Sequence, residues 1–140
     1  MTIDYASLNE GDTLPAIEFG PISRHTLALY CGGSGDLNPI HVDTDFAKAA
    51  GYEDVFAHGM LSMAILGRLL TNWTEQENIR SLSVRFTAIT HVHDTVSGSA
   101  TVREISLQQG ERRLVLDLAT HTQNGVQTLK GSAVIAVPQH

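Results

Sequence analysis

The sequence contains a single cysteine, Cys31, among its 140 residues. No disulfide can form within the chain, which is compatible with a reducing cytoplasm, and we expect Cys31 to be a small packing residue. Basic residues are also few, at 9 against 15 acidic ones, and the formal net charge is −6. Because nucleic-acid-binding proteins normally carry a basic surface, this charge argues against a nucleic-acid partner and mildly against a membrane surface.

Long apolar runs and targeting signals are missing as well. The longest apolar stretch, residues 59–70, is interrupted by Arg68, and it is shorter than the roughly 18–20 residues that span a bilayer. Residues 1–12 carry acidic side chains and no apolar core, unlike a signal peptide. Since repeats and linkers are also absent, we expect one cytoplasmic domain over residues 1–140, long enough to bury a sizeable core.

Residues 30–41 are the most informative segment that is present. They read Tyr-Cys-Gly-Gly-Ser-Gly-Asp-Leu-Asn-Pro-Ile-His and place the carboxylate of Asp36 and the imidazole of His41 on either side of Asn38-Pro39. Proline fixes its own φ and restricts the residue before it, so this backbone is stiff. A rigid loop that holds an acid near a base is suited to proton transfer at neutral pH. Composition alone allows a second interpretation, a turn capped by Asp36 and an exposed histidine.

A helix over residues 59–73 is the clearest secondary-structure prediction. Its apolar side chains cover most of the circumference, which indicates burial. The unpaired backbone N–H groups and the dipole at its start, near Gly59, favour negative charge. Two shorter helices are predicted before it, one capped by Ser23 and ending near Gly32, and one over residues 45–50 capped by Asp43 or Thr44.

The second half of the chain predicts an antiparallel sheet, because apolar and polar residues alternate along it. The turn sequences Gln108-Gln109-Gly110 and Asn124-Gly125 separate its last strands. The four strands are expected at residues 82–88, 96–105, 112–120 and 126–137. A buried helix followed by such a meander predicts an α+β fold in which the sheet wraps around a central apolar helix.

Residues 35–41, with the downstream His58-Gly59-Met60, resemble the signature of the MaoC-like (R)-specific enoyl-CoA hydratases. The resemblance covers residues 30–70 and resumes at residues 84–86, and it implies the hot-dog fold, in agreement with the residue pattern. The chain length and residues 57–61 are also similar to the B subunits of mycobacterial (3R)-hydroxyacyl-acyl-carrier-protein dehydratases. One departure is His93, which stands where the family commonly has glycine.

The resemblance implies interconversion of trans-2-enoyl and (R)-3-hydroxyacyl thioesters of CoA or of acyl carrier protein. It implies that Asp36 and His41 share one water, and that the N–H of Gly59 binds the thioester carbonyl. Asn38 and His58 are expected to orient these groups.

An acyl tunnel is expected along the helix, although apolar helix residues more often simply form core. Its expected lining residues are Ser62, Met63 and Leu66.

We expect neither a metal nor an organic cofactor. His41, His58 and an acid could in principle bind zinc, but their spacing matches no zinc motif. Two other functions stay open: a hot-dog acyl thioesterase, and one subunit of a heterodimeric dehydratase that needs a partner chain. The absence of Asp and Glu from residues 59–73 disfavours the thioesterase, since many hot-dog thioesterases carry their catalytic carboxylate on the central helix. Because open sheet edges tend to be paired, we expect a homodimer or a heterodimer with a related subunit.

Overall fold

The computed structural model describes Asp4 and residues 7–137. Within this part of the chain, five strands form one antiparallel sheet in the order β1-β3-β4-β5-β2. The strands are β1 (Ile17–Phe19), β2 (Ile79–Phe86), β3 (Val96–Gln108), β4 (Glu111–Thr122) and β5 (Gln127–Ala136). The predictions of one domain over residues 1–140 and of no signal peptide in residues 1–12 reach outside the described residues and stay predictions.

The helices begin where the sequence predicts their caps. Ser23 accepts a hydrogen bond from the backbone N of Thr26 and starts α1 (Arg24–Ser34). Asp43 caps α2 (Thr44–Ala49). The central helix, α3, spans Gly59–Thr71. α1 runs past the predicted end at Gly32, and the left-handed C-cap conformation is adopted at Gly35, with φ 78°.

The sheet curls around one side of α3, which confirms the predicted arrangement. Leu66, Leu69 and Leu70 are fully buried and pack in one cluster with the inward-facing side chains of β4 and β5. Burying a leucine contributes about 1.5–3 kcal/mol relative to exposure, so these contacts fix the helix firmly on the sheet. Leu61 and Ile65 pack in a second cluster, with residues of α1, α2 and the connecting loops. The start of α3 is thereby held against the loop that follows α1.

The prediction that α3 is buried nearly all round is wrong for one side. Met60 is 52% exposed, and Ala64 and Arg68 are also exposed. These residues recur every fourth position, so they form one stripe along the helix. The sheet of a single chain covers only the opposite side of the helix, which explains the exposure. Among the described residues, no helix is long and apolar enough to cross a membrane.

The turn before β3 contains a strained residue. His93 has φ 74°, a left-handed conformation that glycine adopts without difficulty and histidine rarely does. Its N–H donates to the carbonyl of Ile22 at 2.6 Å. A residue other than glycine in this conformation destabilises the fold by about 1–3 kcal/mol. This cost explains why glycine is the residue expected at position 93 from the family resemblance.

Candidate active site

Asp36 follows directly on the end of α1. The helix terminates because Gly35 is left-handed and donates its N–H to the carbonyl of Cys31. The backbone N of Asp36 then donates to Oγ of Ser34 at 3.1 Å. This local bonding turns the chain away from the helix axis and leaves the carboxylate half exposed, with 51% of its side chain accessible.

His41 is brought back beside Asp36 by a short 3-10 turn over Pro39–His41. Oδ1 of Asn38 accepts a hydrogen bond from the backbone N of Ile40 at 3.1 Å and caps this turn. The N–H of Asn38 in turn lies 3.3 Å from Oδ1 of Asp36, its acceptor. The side chain of Asn38 therefore caps the turn that carries His41, and its backbone N–H bonds to the carboxylate of Asp36.

The imidazole of His41 has a defined tautomer. Its Nδ1 lies 2.7 Å from the backbone oxygen of Phe56. A carbonyl oxygen can only accept, so Nδ1 carries the proton and the neutral ring presents a lone pair on Nε2. That Nε2 lies 4.0 Å from Oδ2 of Asp36, and only 10% of the His41 side chain is exposed. The pair consists of two acceptors that face each other.

This separation is too long for a direct hydrogen bond but suits one small molecule with two donors. A water oxygen about 2.8 Å from each acceptor would subtend an angle of roughly 90° between them. That angle is close to the angle between the two O–H bonds of water. One water can therefore donate to Asp36 and His41 together and keep its oxygen lone pairs free.

A second imidazole, His58, supports both members of the pair. It is only 2% exposed, and its ring stacks on that of His41 with centroids 3.7 Å apart and planes 22° apart. Its Nε2 lies 3.3 Å from the backbone oxygen of Asp36, to which it donates. Burial, and then the neighbouring His41, lower the pKa of His58, so the ring is neutral. Its Nδ1 consequently bears a lone pair, and it has no hydrogen-bond partner among the described residues.

Cys31 lies behind this stack, with Sγ 3.4 Å from Nε2 of His58. No local pattern in the sequence indicates this contact, because the two residues are far apart along the chain. Burial, with a smaller contribution from the charge of Asp36, raises the pKa of the thiol. Cys31 is therefore a protonated, buried group with the character of a packing residue.

Gly59 is the first residue of α3 and lies at the mouth of a cavity. The side chain of His58, at the N-cap, makes no capping hydrogen bond to the described residues. In the first turn the N–H of Leu61 donates to the carbonyl of His58 at 3.1 Å, and no side chain of the described residues caps the N–H of Gly59. The ring of Phe86 lies so close that a Cβ on Gly59 would be 2.6 Å from its Cε1. Only glycine fits this position without displacement of the ring.

The cavity has a volume of about 560 Å³. Its walls are the start of α3, the segment that follows β2, and the start of β5. The predicted site residues on its surface are Asp36, His41, His58, Gly59 and Ser62. A volume of this size is typical of sites for small organic ligands.

The other predicted residues lie elsewhere. Asn38 is in the loop behind the pair, as described above. Leu66 is fully buried in the main core cluster, and Met63 is partly buried against it. Both belong to the face of α3 that meets the sheet, so this cavity gives no support to an acyl-lining role for them.

Sequence reasoning missed two phenylalanines and a strand end. Phe56 orients His41 through its carbonyl, for which a sequence carries no signal. Phe86 belongs to the stretch that resembles the family, but the sequence does not indicate that its ring lines the cavity beside Gly59. Thr128 and Leu129 reach the cavity wall from β5, and nothing local in the sequence distinguishes them from core residues.

Three side chains at the site could be considered as metal ligands, because one ligand atom from each lies within 4.8 Å of the others. They are Asp36, His41 and His58. A zinc ion would need nitrogen lone pairs that converge at about 2.0–2.1 Å. The stacked rings are nearly parallel, so their lone pairs do not converge. Nδ1 of His41 and Nε2 of His58 are moreover bound to carbonyls. The arrangement fits hydrogen bonding to a small molecule and does not fit this metal.

The sequence is similar to a known protein family and to characterised relatives. The model of the MaoC like domain family matches residues 10–124. The (R)-specific enoyl-CoA hydratase of Rhodospirillum rubrum is 30% identical over 119 residues, which cover 84% of this chain and 81% of that protein. The mitochondrial 3-hydroxyacyl-[acyl-carrier-protein] dehydratase of Arabidopsis thaliana is 26% identical over 134 residues, which cover 94% of this chain and 78% of that protein.

A solved structure is similar over nearly the whole chain. The unliganded R-hydratase PhaJ1 from Pseudomonas aeruginosa superposes with a TM-score of 0.83 at 26% identity. The match covers 97% of this chain and 86% of that one. The likeness confirms the hot-dog fold expected from the sequence.

Proposed function

This chain belongs to the MaoC-like domain family, and on that premise we propose that it interconverts trans-2-enoyl thioesters and (R)-3-hydroxyacyl thioesters. The observation that carries the proposal is the pair of facing acceptors, Oδ2 of Asp36 and Nε2 of His41, 4.0 Å apart at a cavity that also contains the start of α3. A proton acceptor and an N–H donor in one cavity are what addition of water to a conjugated thioester requires.

In the hydration direction, a water donates its two O–H groups to Asp36 and His41. One proton passes to the pair as the water oxygen bonds to the β-carbon of the enoyl group. The π electrons of the double bond move toward the thioester carbonyl and give an enolate-like oxygen. The pair then delivers one proton to the α-carbon. The sum is one water added across one double bond, and dehydration is the reverse.

Gly59 supplies the electrostatic part of this mechanism. Its N–H is at the positive end of the α3 dipole, where developing negative charge on the carbonyl oxygen is stabilised. Removal of one such donor from an enzyme typically lowers kcat by about 10²–10³-fold. The close contact with Phe86 supports a fixed position for this donor.

The thioesterase alternative has less support. α3 contains no aspartate or glutamate over Gly59–Thr71, and the acid beside the cavity lies in the loop after α1. That loop also supplies the imidazole. The resulting geometry serves proton transfer to and from one water.

The proposed substrate carrier is CoA or acyl carrier protein, and the proposed assembly is a homodimer or a heterodimer with a related subunit. The support for an assembly is the position of β2 at one end of the sheet, where it pairs with β5 and with no other strand of the described residues. Phe86, at the end of that strand, is 54% exposed and lines the cavity. A partner along β2 would therefore approach the cavity mouth.

The direct test is hydration of crotonyl-CoA by the purified protein, followed as loss of the enoyl thioester absorbance, with chiral analysis of the product. We expect a single enantiomer, because one loop presents both proton-transfer groups to one face of the double bond. We expect that enantiomer to be the (R)-3-hydroxyacyl thioester, because the relatives include (R)-specific enoyl-CoA hydratases. Predominance of the (S) isomer would exclude the proposed mechanism. Release of free CoA without hydration would instead support the thioesterase.

A further inference from the structure

Ser62 is a residue of the cavity wall whose buried hydroxyl has no partner among the described residues. The residue is only 1% exposed. It nevertheless lines the same cavity as Asp36 and His41. Buried polar groups in folded proteins are nearly always bonded, so a buried, unbonded hydroxyl on a cavity wall indicates a partner that arrives with the ligand.

The position of Ser62 on α3 shows which part of a ligand it meets. It follows Gly59 by three residues, so the two lie side by side on one face of the helix. Helical side chains lean toward the N-terminus, which puts the hydroxyl over the turn that carries Gly59. A helical serine often bonds to the carbonyl four residues earlier, but the hydroxyl of Ser62 makes no such bond to His58, since it has no partner among the described residues.

We propose that the Ser62 hydroxyl donates a second hydrogen bond, beside the N–H of Gly59, to the thioester carbonyl oxygen and to the enolate-like oxygen formed from it. A carbonyl oxygen has two lone pairs and can take both donors. The inference rests on the proposed hydratase function. It makes Ser62 a catalytic residue in contact with the reacting group and not merely a wall of an acyl tunnel.

The part of the chain that the structure describes offers a rival partner for the hydroxyl. Nδ1 of His58, four residues before Ser62, is also buried and has no hydrogen-bond partner within residues 7–137 or at Asp4. If the hydroxyl served that atom, Ser62 would position His58 and would have no contact with substrate. The two roles differ in their effect on stability. Removal of an unbonded hydroxyl leaves the fold as stable as before or more stable, whereas removal of a partner of His58 destabilises it.

The kinetic test compares Ser62→Ala and Ser62→Thr with the wild type on crotonyl-CoA. We expect Ser62→Ala to lower kcat about 10- to 100-fold, with KM nearly unchanged and Tm unchanged or higher. Ser62→Thr, which keeps the hydroxyl, should recover part of kcat. The matched control is Thr71→Val, because Thr71 bears its hydroxyl at the other end of α3, on the carbonyl of Arg68. This control should leave kcat unchanged.

Two outcomes would overturn the inference while the hydratase function stands: a Ser62→Ala kcat within about twofold of an active wild type, or a parallel loss of kcat and Tm. An inactive wild type would instead contradict the proposed function itself.

A binding measurement tests the hydrogen bond without turnover. In an Asp36→Asn background, bound trans-cinnamoyl-CoA should absorb at longer wavelength than the free thioester, because donors to the carbonyl polarise its conjugated system. Adding Ser62→Ala should reduce that shift. An identical shift with and without the hydroxyl would show that Ser62 does not touch the carbonyl.

Discussion

Replacement of Gly59 by alanine tests whether the position of one backbone N–H controls the reaction. The new Cβ would lie 2.6 Å from Cε1 and 2.7 Å from Cδ1 of Phe86. Carbon atoms in contact are normally about 3.5–4.0 Å apart, so the ring or the first turn of α3 must move by roughly 1 Å. Phe86 is 54% exposed and can move outward, so we expect the fold to survive. A displacement of that size at a catalytic site lowers the rate by about 10²-fold.

The assay is kcat for hydration of crotonyl-CoA, with Tm measured on the same preparations. Gly67→Ala is the matched control, because a Cβ there meets only Cδ2 of Leu82 at 4.0 Å. It should keep full activity and gain up to about 1 kcal/mol of stability from the better helix propensity. Adding Phe86→Ala to Gly59→Ala should restore at least part of kcat if the clash is the cause. A folded Gly59→Ala variant with wild-type kcat, or an equal loss in Gly67→Ala, would refute the reasoning.

The remaining predictions concern the pair, its pH response and the assembly. Asp36→Asn and His41→Ala should each lower kcat at least about 100-fold, and the double variant should be little worse because the two act as a unit. The exposed His25→Ala should serve as an active control, and a single variant that keeps more than about a tenth of activity would contradict the assignment. Because burial lowers the pKa of His58 in the folded protein, protonation of this ring favours the unfolded state. The free energy of unfolding therefore has its full value above about pH 6.5, the unfolded pKa, and decreases as pH falls toward the folded pKa. Urea unfolding between pH 7.5 and 5.0 should show that loss, at most about 1.4 kcal/mol per pH unit, and a His58→Gln variant should show less of it. The carboxylate of Glu111, whose pKa the Arg80 and Arg113 guanidinium groups lower to about 2, titrates below this window. Light scattering at micromolar concentration should give a dimeric mass, and an active monomer would count against the paired β2 edge.

The fold was predictable because its signals are local. Ser23 and Asp43 act through residues two or three positions away, so a short stretch of sequence contains the whole cap. The alternation of β4 likewise reports directly on which side chains face α3. β3 and β4 extend beyond the predicted residues 96–105 and 112–120, because hydrogen-bonded pairing continues where alternation stops. β3, for example, extends to Gln108 although Leu107 is 76% exposed. The predicted ranges 82–88 and 126–137 instead run past the ends of β2 and β5.

The candidate site was predictable only as far as one loop reaches. Asp36 and His41 are near each other because a stiff turn at Asn38 and Pro39 leaves them few other arrangements. The bond from His41 to the carbonyl of Phe56 joins residues 15 positions apart, and the approach of His58 to Asp36 joins residues 22 positions apart. These contacts depend on how α3 docks on α1, which no local pattern encodes. The docking of α3 also decides which of its side chains face the cavity, as Ser62 does, and which face the sheet, as Leu66 does.

The two stacked imidazoles have opposite tautomers, and that difference suits the proposed chemistry. The carbonyl of Phe56 holds the proton of His41 on Nδ1, while the carbonyl of Asp36 holds the proton of His58 on Nε2. His41 therefore presents its lone pair to the water, and the corresponding nitrogen of His58 is already engaged as a donor. When His41 gains a proton during turnover, a charged His58 only 3.7 Å away would oppose it. Burial, which lowers the pKa of His58, keeps that ring neutral, so the stack can accept one positive charge and carries it on the ring that faces Asp36.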